Sequence, residues 1–190
     1  LQSSSAASDV YKRQGKNNTF REFSKVHRGT KAGISSTKIG NNNLIMPGVM
    51  IAHDCILGNN NVLVDNTALA GHVTLKDNIT LGGYTLVHQF CQLGSFSFSG
   101  MGSHITMDIP AFIRVAGNPT KPAGLNSIAL ERNAFTKNEI SNLKKAYKIF
   151  YRDSLRVEDA IQKINNECNL DEHIELFIES IKSSSRGILR

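Results

Sequence analysis

The chain has 190 residues, a formal net charge of +6 at pH 7 and three cysteines, a length that suffices for one or two domains with a buried core. No apolar run approaches membrane-spanning length, and the first residues lack the charged start and apolar middle of a signal peptide, so we expect no stable membrane insertion. The basic excess lies mainly in residues 1–31, which carry seven basic and two acidic groups. Because no basic stripe with interleaved aromatic residues is present, nucleic-acid binding is not expected.

The first segment, residues 1–14, carries neither a repeat nor a core pattern. Its string SSSAASDVYKRQ resembles a translated sequencing adapter, and we predict that it is foreign to the natural protein. The alternative is a genuine disordered terminus. A repeat then starts at Gly15, with Phe20 and Val26 in aliphatic positions. Since a solenoid needs a capped end, we expect further coils before Gly15 in the natural protein.

A six-residue period dominates the chain after this point. One aliphatic residue, replaced once by serine, recurs at every sixth position: Ile39, Ile45, Ile51, Leu57, Leu63, Leu69, Leu75, Leu81, Val87, Leu93, Ser99 and Ile105. This period fits neither a heptad nor an amphipathic helix. It is typical of hexapeptide β-helices, in which three short strands form one triangular coil of about 18 residues. We predict such a β-helix over residues 15–118. Between Val26 and Ile39 the spacing is 13 rather than 12, which predicts a loop at residues 31–37 that lines the binding face.

The cysteine spacing follows the same period. Cys55 and Cys91 lie 36 residues apart, which places them in one column two coils apart, or about 10 Å. That distance is too long for a disulfide. With Cys168 as the third cysteine, we expect reduced thiols and a cytoplasmic location.

Residues 119–190 change to a helical period and are predicted to form a C-terminal helical domain. Thr136 and Glu139 form a capping-box pattern that opens a helix through about residue 151. A second helix is expected over residues 155–168, and a third is expected from about Asn169. The predicted fold class is therefore mainly β, a parallel β-helix followed by an α-helical domain.

The 18-residue coil brings chemically active residues together. His53, Gly71 and Gln89 are spaced by 18 residues and share one column. The adjoining columns hold three more polar residues within about 10 Å along the solenoid axis: Asp54, His72 and His88. A histidine can act as a general base near neutral pH, and a glycine N–H can stabilise an oxyanion. The same cluster is compatible with a three-histidine zinc site or with histidines of purely structural function.

Five segments resemble one known family. They are IAHDC (51–55), LAGHV (69–73), GGYTLVHQFC (82–91), AGNPTKPAGLN (116–126) and the ending SRGILR (185–190). In this order they are similar to the UDP-N-acetylglucosamine O-acyltransferases, which begin lipid A synthesis, and the resemblance covers residues 15–190. It implies a left-handed β-helix, a cytoplasmic homotrimer with active sites between subunits, and no cofactor or metal. It also implies transfer of an (R)-3-hydroxyacyl group from acyl carrier protein to the sugar 3-hydroxyl of UDP-N-acetylglucosamine.

The resemblance assigns roles to residues of this chain. His53 would be the general base, Asp54 its support and Gly71 the backbone oxyanion donor. The expected substrate contacts are His72, His88, Gln89, Asn126 and Arg132, the last two at the nucleotide end. Met101 matches the family position that measures acyl-chain length, and methionine there predicts a preference for a medium chain. Its alternative role is to fill an interface gap.

Three alternatives remain beside this interpretation. The first is the related UDP-3-O-acylglucosamine N-acyltransferase, which shares the solenoid but lacks the VHQFC and SRGILR context. The second is a zinc lyase resembling γ-class carbonic anhydrases. The third is a non-catalytic hexapeptide scaffold, which predicts no loss of function when His53 is changed.

Overall fold

Short strands, repeated every six residues, build three sheets that enclose a prism. The computed structural model describes residues 10–190. The first sheet contains β1 (Tyr11–Gln14), β4 (Ser36–Ile39), β7 (Ile56–Leu57), β10 (Thr74–Leu75) and β13 (Gln92–Leu93). The second sheet contains β2 (Thr19–Phe20), β5 (Leu44–Ile45), β8 (Val62–Leu63), β11 (Thr80–Leu81), β14 (Phe98–Ser99), β16 (Ile113–Ala116) and β17 (Lys121–Leu125). The third sheet contains β3 (Lys25–Val26), β6 (Met50–Ile51), β9 (Ala68–Leu69), β12 (Leu86–Val87) and β15 (His104–Ile105).

The predicted aliphatic column forms the core of this prism. Every repeat position from Ile39 to Ile105 is at most 4 % exposed, including Ser99. Strands of successive coils pair in parallel with an 18-residue offset, for example Thr74 with Ile56 and with Gln92. The burial and the pairing confirm the predicted parallel β-solenoid. The fold forms because the aliphatic side chains that recur at this period are buried inside the prism. The handedness of the solenoid stays a prediction.

The break in the repeat is larger than the sequence count indicated. Val26 pairs with Ile51, 25 residues later, whereas Ile39 pairs with Leu57 at the normal offset of 18. The insertion therefore adds seven residues to a single corner. The predicted corner loop is present, but its expected bounds of 31–37 and its expected length of one extra residue are wrong. The inserted loop occupies residues 27–35, and Ser36 and Thr37 already belong to β4.

The helical domain has one more helix than predicted. Its helices are α1 (Ser127–Arg132), α2 (Lys137–Arg152), α3 (Val157–Glu167) and α4 (Glu172–Lys182). The capping box of Thr136 and Glu139 is present at the start of α2, as predicted. The short α1 was not predicted, because six residues are too few to show a period. The domain also begins with a strand, β17, which pairs antiparallel with β16.

Three further predictions bear on the described residues. Residues 1–9 of the segment predicted to be foreign lie outside them, while Tyr11–Gln14 forms an exposed strand beside β4. Cys55, Cys91 and Cys168 are buried and not disulfide-bonded, as expected. Within residues 10–190, no helix has both the length and the apolar character needed to cross a bilayer.

The SRGILR ending contacts the last coil around Asp108, through its carboxylate and through backbone hydrogen bonds with Gly187 and Leu189. Asp108 is 2 % exposed, and its Oδ2 accepts hydrogen bonds from Ser184 Oγ at 2.6 Å and from the N–H groups of Ser185 and Arg186 at 3.1 Å. Its Oδ1 accepts the N–H of Gln92 at 2.7 Å. The ending thus links the helical domain to the solenoid through charge-assisted hydrogen bonds to a buried carboxylate.

We expect Asp108→Ala to lower the free energy of unfolding by about 3 kcal/mol, since four donors lose a charged acceptor that is itself buried. Urea unfolding followed by circular dichroism measures the change. Asp159→Ala is the matched control, because Asp159 lies exposed in the first turn of α3 and should contribute at most about 1 kcal/mol. Equal losses in the two variants would contradict this account of the C-terminal attachment.

Candidate active site

The corner between the third and the first sheet gathers the predicted polar residues. The chain turns there after β6, β9 and β12, so successive turns stack along the solenoid. His53, Gly71 and Gln89 take the first turn position, whereas Asp54, His72 and Phe90 take the second. The second position has positive φ in all three turns, at 61°, 63° and 68°. The structure therefore places these groups in adjoining columns, as the 18-residue spacing predicted.

His53 and Asp54 form a directly hydrogen-bonded pair. His53 Nδ1 lies 2.9 Å from Asp54 Oδ2, and the histidine side chain is 42 % exposed while the aspartate side chain is fully buried. Burial raises the pKa of Asp54, but the hydrogen bonds from Thr30 and His53 together lower it by a larger amount. The resulting pKa is about 2, below the usual value of an aspartate. An ionised carboxylate only accepts hydrogen bonds, so Nδ1 carries the proton. In the neutral ring, Nε2 is then left as the proton acceptor on an accessible side chain.

The inserted loop holds the aspartate in place. Thr30 Oγ1 donates to Asp54 Oδ2 at 2.7 Å, and the Thr30 N–H lies 3.1 Å from each carboxylate oxygen. The N–H of Asp54 donates to Thr37 Oγ1 at 2.9 Å, just beyond the loop. The loop and His53 also border a common hollow of about 430 Å³. The loop thus contacts the candidate site through the buried member of the His53–Asp54 pair.

Gly71 lies against the ring of His53. A Cβ atom at Gly71 would be only 2.6 Å from His53 Cε1, so a side chain there would overlap the imidazole. Gly71 is buried, and its carbonyl accepts the N–H of Phe90 at 3.1 Å. The glycine therefore allows the histidine to approach the backbone of the next coil, which is the close approach that an oxyanion donor beside the base requires.

The ring of His72 contacts the ring of His53 on one coil and the ring of Phe90 on the next. Its centroid is 5.3 Å from that of His53 in an edge-to-face arrangement and 4.6 Å from that of Phe90 in a stacked arrangement. Phe90 was not among the predicted site residues, although its 18-residue offset from His72 places it in the same column. His88 and Gln89 are exposed in the third turn, and His88 Nδ1 lies 3.2 Å from the Gln89 carbonyl oxygen.

Three predicted residues lie away from this corner within one chain. Met101 is 80 % exposed and lies at a different corner, between β14 and β15. Asn126 is buried, and its amide donates to the Phe96 carbonyl at 2.8 Å. Asn126 and Arg132 border a cleft of about 740 Å³ beside α1, and His53 does not line it. These three residues therefore do not belong to the His53 corner of the same chain.

The same corner bears on the zinc-lyase alternative, which needs a set of metal ligands. Among the described residues, the group able to hold a metal ion consists of His53, Asp54 and His72, with donor atoms within 4.8 Å of one another. His88 does not belong to it, so the three-histidine set of the zinc hypothesis is not assembled there.

The two solenoid cysteines are not placed as nucleophiles. Burial raises the pKa of Cys55 and of Cys91 to about 11, which keeps both thiols protonated and weakly nucleophilic at neutral pH.

A solenoid of hexapeptide coils with polar groups gathered at one corner places the chain among the hexapeptide-repeat transferases, and residues 36–71 match the family described as bacterial transferase hexapeptide. Residues 108–189 match domain 2 of UDP-N-acetylglucosamine O-acyltransferase. A protein of Ectopseudomonas mendocina named acyl-[acyl-carrier-protein]–UDP-N-acetylglucosamine O-acyltransferase is 46 % identical over 176 residues, which cover 93 % of this chain and 68 % of that relative. The chain belongs to the UDP-N-acetylglucosamine O-acyltransferase family.

Solved structures agree with this assignment. LpxA from Acinetobacter baumannii is 38 % identical and superposes with a TM-score of 0.93, covering 96 % of this chain and 71 % of that one. The UDP-N-acetylglucosamine acyltransferase of Arabidopsis is 38 % identical with a TM-score of 0.90, covering 95 % and 66 %. The chain is thus an O-acyltransferase by family, and the N-acyltransferase and zinc-lyase alternatives are not favoured.

Proposed function

We propose that the chain transfers an (R)-3-hydroxyacyl group from acyl carrier protein to the 3-hydroxyl of UDP-N-acetylglucosamine, the first step of lipid A synthesis. The observation that carries this proposal is the accessible His53 ring, which is bonded to a buried, ionised Asp54 and lies against Gly71. Ester formation from a hydroxyl and a thioester requires a base and an oxyanion donor, and this corner offers both. The named activity of the E. mendocina relative supports the same substrates.

The reaction follows from these groups. His53 Nε2 accepts the proton of the sugar hydroxyl while the hydroxyl oxygen attacks the thioester carbonyl carbon. Asp54 stabilises the imidazolium that forms, and the Gly71 N–H donates to the oxyanion of the tetrahedral intermediate. The carbon–sulfur bond then breaks, and His53 returns the proton to the departing thiolate. The products are the sugar ester and the free thiol of the carrier, and the step requires neither a cofactor nor a metal.

Substrate binding is proposed to extend over two chains of a homotrimer. His72, His88 and Gln89 would contact the sugar and acyl groups at the His53 corner. Asn126 and Arg132 would contact the nucleotide from the cleft beside α1 of a neighbouring chain. This assembly is supported by the placement of the second group on a different side of the solenoid. The unpaired thiols support a cytoplasmic location for the enzyme, where such thiols stay reduced.

The test is an acyl-transfer assay with (R)-3-hydroxyacyl carrier protein and two acceptors, UDP-N-acetylglucosamine and UDP-3-O-acyl-glucosamine. We expect ester formation on the first acceptor and none on the amine of the second. Transfer only to the second acceptor would favour the N-acyltransferase alternative. Transfer to neither acceptor, together with stoichiometric zinc in the purified protein, would favour the lyase alternative. Light scattering of the same sample measures its molar mass, which should be that of three chains if the protein is a homotrimer.

The acyl-chain preference provides a separate prediction. Met101→Gly is expected to move the preference from a medium acyl chain towards a longer one, because each additional buried methylene is worth about 0.8 kcal/mol, or roughly fourfold in relative rate. Competition between two carrier-bound acyl chains in one assay measures the ratio. Met101→Leu, which keeps the side-chain volume, is the control and should retain the original preference. An unchanged ratio in Met101→Gly would leave Met101 as a space-filling interface residue.

A further inference from the structure

The seven-residue insertion changes the surroundings of one turn of the corner, the turn that holds His53 and Asp54. Asp54, His72 and Phe90 occupy the same turn position in successive coils, yet Asp54 is 2 % exposed and Phe90 is 47 % exposed, with His72 between them. The loop over residues 27–35 covers the first of these turns. The burial of Asp54 is therefore a consequence of the insertion and not of the repeat.

Within this loop, Thr30 is the residue that contacts the carboxylate. Its hydroxyl and its N–H both donate to Asp54. Among the described residues, the remaining donor to the carboxylate is His53 Nδ1, whereas Thr37 contacts only the backbone N–H of Asp54. Gly33 also lies against the carboxylate group, where any Cβ atom would overlap it. The hydrogen bonds from Thr30 and His53 hold the carboxylate in a space that the lack of a side chain at Gly33 leaves open.

We propose that Thr30 is a positioning residue for the acyl-transfer reaction, an inference that rests on the proposed function. By binding the Asp54 carboxylate, Thr30 keeps Oδ2 aligned with His53 Nδ1 and so holds the histidine in the tautomer that leaves Nε2 unprotonated. Thr30 acts through Asp54 and does not contact the substrate in this scheme. Without its hydroxyl, the buried carboxylate can rotate, and a fraction of His53 rings adopts the other tautomer, whose Nε2 carries a proton and cannot accept one.

The experiment compares Thr30→Val, which is nearly isosteric and lacks the hydroxyl, with Thr30→Ser, which keeps it. We expect Thr30→Val to lower kcat about tenfold, the effect of losing a single hydrogen bond to a charged group, with KM for the sugar nucleotide changed by less than about twofold. Thr30→Ser should restore most of the rate. Thr19→Val is the control for the substitution itself, since Thr19 lies exposed on β2.

A second measurement needs no substrate. In protein labelled with ¹⁵N-histidine, the ring nitrogens of His53, assigned by their loss in His53→Ala, report the tautomer directly. We expect a protonated Nδ1 in the wild type and in Thr30→Ser, and averaged ring shifts in Thr30→Val. If Thr30→Val folds poorly, Thr30→Ala is measured in the same way. Gly33→Ala, which displaces the carboxylate while leaving Thr30 in place, should also change the ring shifts.

The outcomes separate this inference from the proposed function. Wild-type kcat together with unchanged His53 ring shifts in Thr30→Val would overturn the role of Thr30. A fall in melting temperature with kcat per folded molecule and ring shifts unchanged would also overturn it, because Thr30 would then only stabilise the loop. A wild-type protein that transfers no acyl group would count against the proposed function, and the ring shifts would still decide whether Thr30 orients the His53–Asp54 pair.

Discussion

His53→Ala is expected to reduce acyl transfer by on the order of 10²–10⁴-fold, the usual effect of removing a positioned general base. His53 is the accessible member of a hydrogen-bonded pair whose other member is fully buried, so removal of the proton from the sugar hydroxyl depends on its Nε2. Because the ring is 42 % exposed, its removal leaves little buried cavity, and the solenoid should remain folded. Steady-state rates at saturating substrate, measured beside circular dichroism spectra, test both parts of this expectation.

The matched control for this variant is His104→Ala. His104 lies on β15 of the third sheet, outside the polar corner, and its replacement should leave kcat nearly unchanged. Added imidazole is expected to restore part of the rate in His53→Ala by supplying the missing base. Near-wild-type turnover of His53→Ala would refute the assignment of the base and would favour the scaffold alternative.

Gly71→Ala is expected to lower kcat by up to roughly 10²–10³-fold, the range seen when an oxyanion donor is removed. The new methyl group would be placed 2.6 Å from His53 Cε1, so the imidazole must move and the thioester carbonyl cannot approach the Gly71 N–H. The φ of Gly71 lies outside the left-handed region, so alanine should not strain the backbone. The loss should therefore be catalytic more than structural.

Gly83→Ala is the control for adding a methyl group to a turn of the solenoid. A Cβ atom at Gly83 would have its nearest neighbour at an ordinary 3.4 Å, so both activity and melting temperature should change little. The comparison uses kcat per folded molecule together with thermal unfolding curves. Should Gly71→Ala unfold while its folded fraction keeps full activity, Gly71 is a corner residue required for the turn and not an oxyanion donor.

The six-residue period alone was sufficient to predict the architecture and most of the corner. Inward-pointing residues such as Ile51 and Leu69 must be buried, and each strand forms its hydrogen bonds with the strand one coil away. Residues 18 positions apart are therefore neighbours wherever the repeat is unbroken, which is why His53 and Gly71 could be brought together from sequence. Local chemistry likewise predicted the start of α2, since a capping box needs only Thr136 and Glu139.

Only the tertiary structure showed the contacts of the inserted loop and the side-chain orientations, which the six-residue period does not determine. Thr30 lies 24 residues before Asp54 within an insertion that has no fixed register, so no counting rule could place its hydroxyl on the carboxylate. Ring orientations at His72 and Phe90 depend on neighbouring side chains and not on spacing. Asn126 was predicted to contact substrate, and the structure shows its amide bonded to the Phe96 carbonyl. A repeated backbone determines which residues are neighbours, whereas loops and side-chain rotamers determine which of their atoms meet.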